Sequence, residues 1–226
     1  MNDVDLNILY EDNHLIVVEK PVNVPVQLDD SRDDDLLSLT KAYIKEKYDK
    51  PGNVYLALIH RLDRPVGGAI VFAKTSKAAS RMANLLRKRE LERTYYAIVH
   101  GRPEEAFGKL THYLWKDRQK NEVYAVGKNH QDAKKAVLNY EVLASKQGFS
   151  LLEVELETGR SHQIRVQLQT IGHPLYGDQK YGSQVNKVGQ QIALWSRELR
   201  FIHPVKKEEV TVQSQPPHEY PWDLFL

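Results

Sequence analysis

The chain has 226 residues, a formal net charge of +2, 41% hydrophobic and 27% charged residues, and no cysteine. That composition is ordinary for a globular protein large enough to bury a real core. It excludes disulfides, thiol nucleophiles and cysteine-based zinc sites, and it fits a reducing cytoplasm.

No run approaches the roughly 18 apolar residues a membrane helix needs. The acidic start "MNDVDLNILYEDN" lacks the basic-then-apolar pattern of an export signal, so a cytoplasmic location is expected. A net charge this small leaves nucleic-acid binding open, provided the basic residues cluster on one face.

In chain order, "NILYEDNHLIVVEKP" reads as two short strands joined by a turn at Glu11-Asp12-Asn13; Leu15 to Val18 is apolar and rich in β-branched residues. "NVPVQLDDSRDDD" reads as an acidic loop punctuated by Pro25, and "LLSLTKAYIKEKY" as a helix to about Tyr48. "VYLALIHRLD" is expected to be strand, as is "AIVFAKT" beyond it. The following helix, "TSKAASRMANLLRKRE", has Thr75 or Ser76 to cap it and an apolar stripe of Ala79, Met82, Ala83 and Leu86, with Arg81, Lys88 and Arg89 off the stripe. Arg81, Arg87, Lys88 and Arg89 suit either a phosphate-contacting face or a solvated one.

"RTYYAIVHG" is strand-like, and from Gly108 to Leu156 strands and turns dominate. "SHQIRVQLQTIG" returns to helix, with Ile164, Leu168 and Ile171 at i, i+4 and i+7; "GHPLYGDQKYGS" is loop, and "ELRFIH" with "EVTVQS" reads as a closing strand pair. Strands outnumber helices and mostly follow one another. The expected class is therefore α+β, with a mixed, largely antiparallel central sheet rather than a doubly wound parallel one. No repeat or interdomain linker is evident, so a single domain spanning 1–226 is expected.

Four stretches carry candidate chemistry. In "HRLDRPVGG", Asp63 stands between Arg61 and Arg64, ahead of Pro65 and the Gly67-Gly68 pair. Arg64, before a proline, is biased to extended geometry, and the glycines permit positive φ or close backbone approach. Nearby arginines lower a carboxylate's pKa, and an ionised carboxylate serves as nucleophile or base. A salt-bridged turn explains the same residues.

In "ETGRSHQIR", Ser161 is a candidate helix cap and His162 and Arg165 share one helix face. With Arg160 and Gln163 they would make an anion cradle; a solvated amphipathic helix is the alternative. In "RTYYAIVHG", alternation puts Tyr95, Ala97 and Val99 on one face and Tyr96, Ile98 and His100 on the other; one tyrosine packing in the core while its neighbour faces a cleft is one reading, and plain core packing is the alternative. "GHPLYGDQKYG", with Tyr176, either lines a substrate groove or is a loop packed by its own tyrosines. Nine histidines show no HExxH or other tight ligand spacing, and no metal is expected.

Taken together and in this order, "LYEDNHLIVVEKP", "HRLDRPVGGAIVFAK", "RTYYAIVHG", "GRSHQIR" and "GHPLYGDQKYG" resemble the RluA family of RNA pseudouridine synthases, over about Asn7 to His203. The resemblance implies the pseudouridine-synthase fold, with a catalytic cleft across the sheet, and isomerisation of uridine in ribosomal or transfer RNA without a cofactor. It carries roles to Asp63 as catalytic carboxylate, Tyr95 as the tyrosine stacked on the base, and Arg165 as the partner of Asp63. His60, Arg61, Arg64, Arg160, His162, Gln163 and Tyr176 are the expected substrate contacts. The departures are Val66-Gly67 where many relatives have Thr-Ser or Val-Ser, Gln167 where many have histidine, and Leu194-Trp195 where many have His-Ala. They leave the reaction type intact and bear on substrate identity. The pattern begins near the first residue, so RNA capture is expected to rest on the catalytic domain itself, acting as a monomer. An inactive RNA-binding relative and a carboxylate-dependent nucleosidase are the competing functional readings.

Overall fold

The computed structural model describes residues 6–29 and 33–226. The chain divides into two compact units, Met1–Arg93 with Ser196–Gln215, and Thr94–Trp195 with Pro216–Leu226.

In the first unit, β1 (Ile8–Glu11) and β2 (Leu15–Lys20) form the expected hairpin, tied by the Asp12 carboxylate, which accepts from the His14 and Leu15 amides at 2.7 and 2.8 Å. Helix α1 (Leu36–Lys47) starts at Asp35, whose carboxylate accepts from the Ser38 amide. The acidic segment before it has no regular structure where described; Asp30, Ser31 and Arg32 lie outside the described residues.

The strand expected over "VYLALIHRLD" is much shorter: β3 spans only Ala57–Leu58, antiparallel to β4 (Gly67–Ala73). β4 is buried along its whole length, which is why it reads as a continuous small and apolar run rather than an alternation. Helix α2 (Ser76–Lys88) is capped by Thr75, not Ser76; the Thr75 hydroxyl accepts from the Ala78 amide at 3.2 Å. It lays Ala78 and Met82 against Leu15, Val17, Ala69 and Val71, the core of this unit. The closing pair is β10 (Leu194–Ile202) and β11 (Glu209–Gln213), antiparallel as expected. The strand order here is β1-β2-β4-β10, with β11 on β10 and β3 on β4.

Gly68 has φ +109, and a Cβ there would be driven into the Ser196 backbone, so β10 can approach β4 only past a glycine.

The second unit is built on β5 (Leu91–His100), which crosses from one unit into the next, and on β6 (Phe107–Asp117), β7 (Glu122–Val126), β8 (Lys134–Lys146) and β9 (Phe149–Leu156), in the order β5-β9-β8-β6-β7. These pairings are antiparallel throughout. Helix α3 (Gln163–Thr170) contributes Val166 to a small core with Leu114, Val123 and Ala136. The α+β class with largely antiparallel sheet is as read from the sequence. Among the described residues no helix is long and apolar enough to cross a membrane.

Candidate active site

The Asp63 segment is a constructed turn. The Val66 amide donates to the Asp63 carbonyl at 2.9 Å, closing a four-residue turn that feeds directly into β4. A residue the sequence reading passed over holds it. Lys20, at the end of β2, is 0% exposed, and its Nζ donates to the Pro21 and Arg64 carbonyls, each at 2.8 Å. The ammonium thus ties the sheet to the backbone one residue beyond Asp63. Burial pulls the Lys20 pKa down to about 7, the Asp63 carboxylate opposes that pull, and the Arg64 cation adds to it. Asp63 itself is partly exposed on this turn, within electrostatic reach of a buried cation.

The flanking basic residues separate into different jobs. Arg61 is exposed. Arg64 is bound into the acidic loop before α1: its Nε donates to the Asn23 carbonyl at 3.0 Å, and its terminal nitrogens pair with Asp33 and, at 3.7 Å, with Asp29. The salt-bridged reading of this motif therefore holds for Arg64. His60 is buried; its Nε2 accepts from the Val71 amide at 3.4 Å, and burial, reinforced by the Arg93 cation, depresses its pKa to about 3, so the ring is neutral.

In the second unit Tyr95 is buried on β5 opposite Val154 of β9. From Ala97 to Val99 both faces of β5 are buried, so the two-sided reading of this strand holds only near Tyr95 and Tyr96.

Arg165 lies in the first turn of α3 and is held from two sides. Nε and one terminal nitrogen donate to the two oxygens of Asp178, each at 2.8 Å, and the guanidinium lies over the Tyr181 ring at 5.1 Å. Asp178 is 1% exposed and also accepts from the Lys180 and Tyr181 amides at 2.9 and 3.1 Å. Burial alone would raise its carboxyl pKa; the guanidinium and the two amides outweigh that and hold it below the ordinary carboxylate range. Buried Asn186 supports the loop, accepting from the Gly177 amide at 2.7 Å and donating to the Leu175 and Gly182 carbonyls at 2.9 and 3.0 Å.

Ser161 is not the cap of α3. His162 takes that position with φ +50 and makes no side-chain cap bond. The Gln163 side chain instead braces the turn ahead of the helix: its Oε1 accepts from the Arg160 amide at 3.0 Å and the Thr158 hydroxyl at 2.8 Å, while its Nε2 donates to the Val137 carbonyl at 3.0 Å. The His162 ring bonds the Tyr181 hydroxyl at 2.6 Å, so His162 and Arg165 do meet one neighbour, as their spacing suggested. The anion cradle read from "GRSHQIR" is thus occupied from within: Gln163 pins the turn to β8, and Arg160, though exposed, sends its Nε to the Lys135 carbonyl at 3.0 Å. Tyr176 is buried in an aromatic group with His100, Phe149 and Tyr220, and its hydroxyl accepts from Gln190 at 2.8 Å.

Lys20 and Asp178 are the residues that sequence reasoning missed. Lys20 closes an apolar strand, where a lysine ordinarily reaches solvent. Asp178 was visible only as one letter of a loop motif.

The family model described as RNA pseudouridylate synthase matches residues 14–170. The chain belongs to the RNA pseudouridine synthases. The synthase is 32% identical over 230 residues to the ribosomal large subunit pseudouridine synthase D of Zymomonas mobilis, covering 96% of this chain and 71% of that one. It is 29% identical over 230 residues to the tRNA pseudouridine synthase C of Vibrio cholerae, covering 92% and 90%. Its fold matches human RNA pseudouridylate synthase domain containing 4 with a TM-score of 0.79 at 24% identity, over 93% of this chain and 88% of that one. These matches bear out the resemblance to RluA-type synthases, and the enzyme is an RNA pseudouridine synthase, an isomerase.

Proposed function

We propose that the synthase converts specific uridines of structured RNA, ribosomal or transfer, to pseudouridine. Asp63 is the catalytic carboxylate, Tyr95 stacks on the target base, and Arg165 pairs with Asp63 during the reaction. In this reading the whole chain acts as one catalytic domain, as a monomer in the cytoplasm. Arg61 and Arg160, both exposed, meet the RNA. His60, Arg64, His162, Gln163 and Tyr176 shape the loops that receive it.

The chemistry needs few parts. The bond between the sugar and N1 of uracil breaks, the freed base turns, and a new bond forms from the sugar to carbon 5, whose hydrogen leaves as a proton. Atoms balance without a cofactor. A carboxylate either attacks the sugar or removes a sugar proton, and both routes require it ionised and fixed. The target must first leave its stack, at a cost of a few kcal/mol, and an aromatic face over the ring retains the detached base.

The observation that carries the reading is the turn itself. In a chain of this family, Asp63 is set on backbone that the fully buried Lys20 amino group holds through the Arg64 carbonyl. A surface salt-bridge turn has no use for that support.

Incubation with RNA carrying tritium at carbon 5 of uridine tests the proposal. The wild type is expected to release tritium to water, and Asp63→Asn to release none while still binding RNA. Equal release from both proteins would contradict the assignment of Asp63. Free uracil in solution would identify a nucleosidase.

A further inference from the structure

Arg93 stands two residues before Tyr95 on β5, and so on the same face of that strand. It is 6% exposed, its Nε is buried without a hydrogen-bond partner, and among the described residues nothing pairs with its charge. The neighbour that feels this charge is His60, of the Asp63 motif, whose buried Nδ1 is likewise without a partner. The fold gains nothing from this arrangement. Burying a charge costs several kcal/mol unless a counter-ion and hydrogen bonds compensate, and buried arginines are therefore normally paired. Arg165 shows how this chain accommodates another buried arginine: a bidentate carboxylate, with a ring over the guanidinium. Arg93 has neither. A guanidinium is also the group whose planar fork matches a phosphate.

We propose that Arg93 is an anion-receiving residue and that its ligand is a backbone phosphate of the RNA beside the target nucleotide. The identity of the anion rests on the RNA reading above; the need for an anion does not. The neutral His60 adds no second positive charge beside the guanidinium.

The test uses the intact protein and a synthetic RNA stem-loop with an all-uridine loop. Wild type, Arg93→Met and Arg93→Lys are compared by thermal unfolding and by RNA binding over a salt series. Removing a buried unpaired charge should leave the melting temperature of Arg93→Met unchanged or raised. Its RNA affinity should fall about tenfold, and the slope of log affinity against log salt should shrink by ~0.7, the release expected from one single-strand phosphate. Arg93→Lys should retain most of that slope.

Single neutral methylphosphonate linkages walked along the loop should reveal one position where wild type loses the same tenfold and Arg93→Met loses nothing further. The inference is overturned if Arg93→Met keeps the wild-type slope, if no linkage behaves this way in the wild type, or if Arg93→Met melts well below wild type, as a structural arginine would. If the wild type binds through Arg93 yet forms no pseudouridine in any RNA, the isomerase reading fails and this inference stands.

Discussion

Asp178 is to Arg165 what Lys20 is to the Asp63 turn: a buried group that fixes a residue on which the proposed function rests. Losing one partner of a buried pair costs about 3–5 kcal/mol, because the other charge is left uncompensated. Asp178→Asn should therefore destabilise the protein by about that amount in urea unfolding. It should also lower the rate of tritium release at saturating RNA at least tenfold. The double substitution of Arg165→Met with Asp178→Leu separates the two effects. It should recover much of the stability and none of the activity, and recovery of both would show that Arg165 has no part in the reaction.

His60 gives a pH signature. Its pKa falls from 6.5 unfolded to about 3 folded, with burial the larger cause. Between those values the unfolded chain binds the extra proton, so the stability is fully present above 6.5 and is lost as pH falls toward 3. Glu11, held near 2 by Lys47, Lys74 and Tyr48 against its own desolvation, adds a similar loss that begins only below 4.5. In urea titrations from pH 6.5 to 5, above that carboxylate window, His60→Leu should show a shallower loss of stability than wild type. Parallel lines would mean that the ring is already charged in the fold.

At the scale of elements, Gly68 is the most exposed to test. Its positive φ and the closeness of the Ser196 backbone both forbid a side chain. Gly68→Ala should cost ~2–4 kcal/mol from backbone strain and overpacking together, measurable as a lower urea midpoint. A midpoint within error of wild type would mean that β10 can move away freely. The sequence already signalled a special backbone at Gly67-Gly68, but not the strand that demands it. Hairpins, caps and the antiparallel pairs were legible because their causes are local: alternation, β-branching, Thr75 before a helix. Two elements were misjudged for reasons that are not local. "VYLALIHRLD" has strand chemistry, but the chain leaves β4 after Leu58 so that His60 can sit under Val71. Ser161 is a good cap by type, but the helix begins one residue later than such a cap requires, with His162 in the cap position at φ +50.

For the whole molecule, the class of fold followed from many short strands in succession and few helices. The motif residues were legible as an ordered set of segments far apart in the chain. Their support was not. The Lys20 ammonium reaches a carbonyl 44 residues away, and Arg165 finds its carboxylate 13 residues on; neither spacing corresponds to any local period. A net charge of +2 likewise said nothing of RNA, since in the proposed reading what counts is where single charges such as those of Arg61, Arg93 and Arg160 are held. The central claim concerns the molecule acting on its own RNA. The most direct measurement is a pseudouridine map of ribosomal and transfer RNA from cells carrying the wild-type protein, Asp63→Asn, or neither. Pseudouridine at one or more positions with the wild type alone is the expected result. Identical maps from all three would contradict the account.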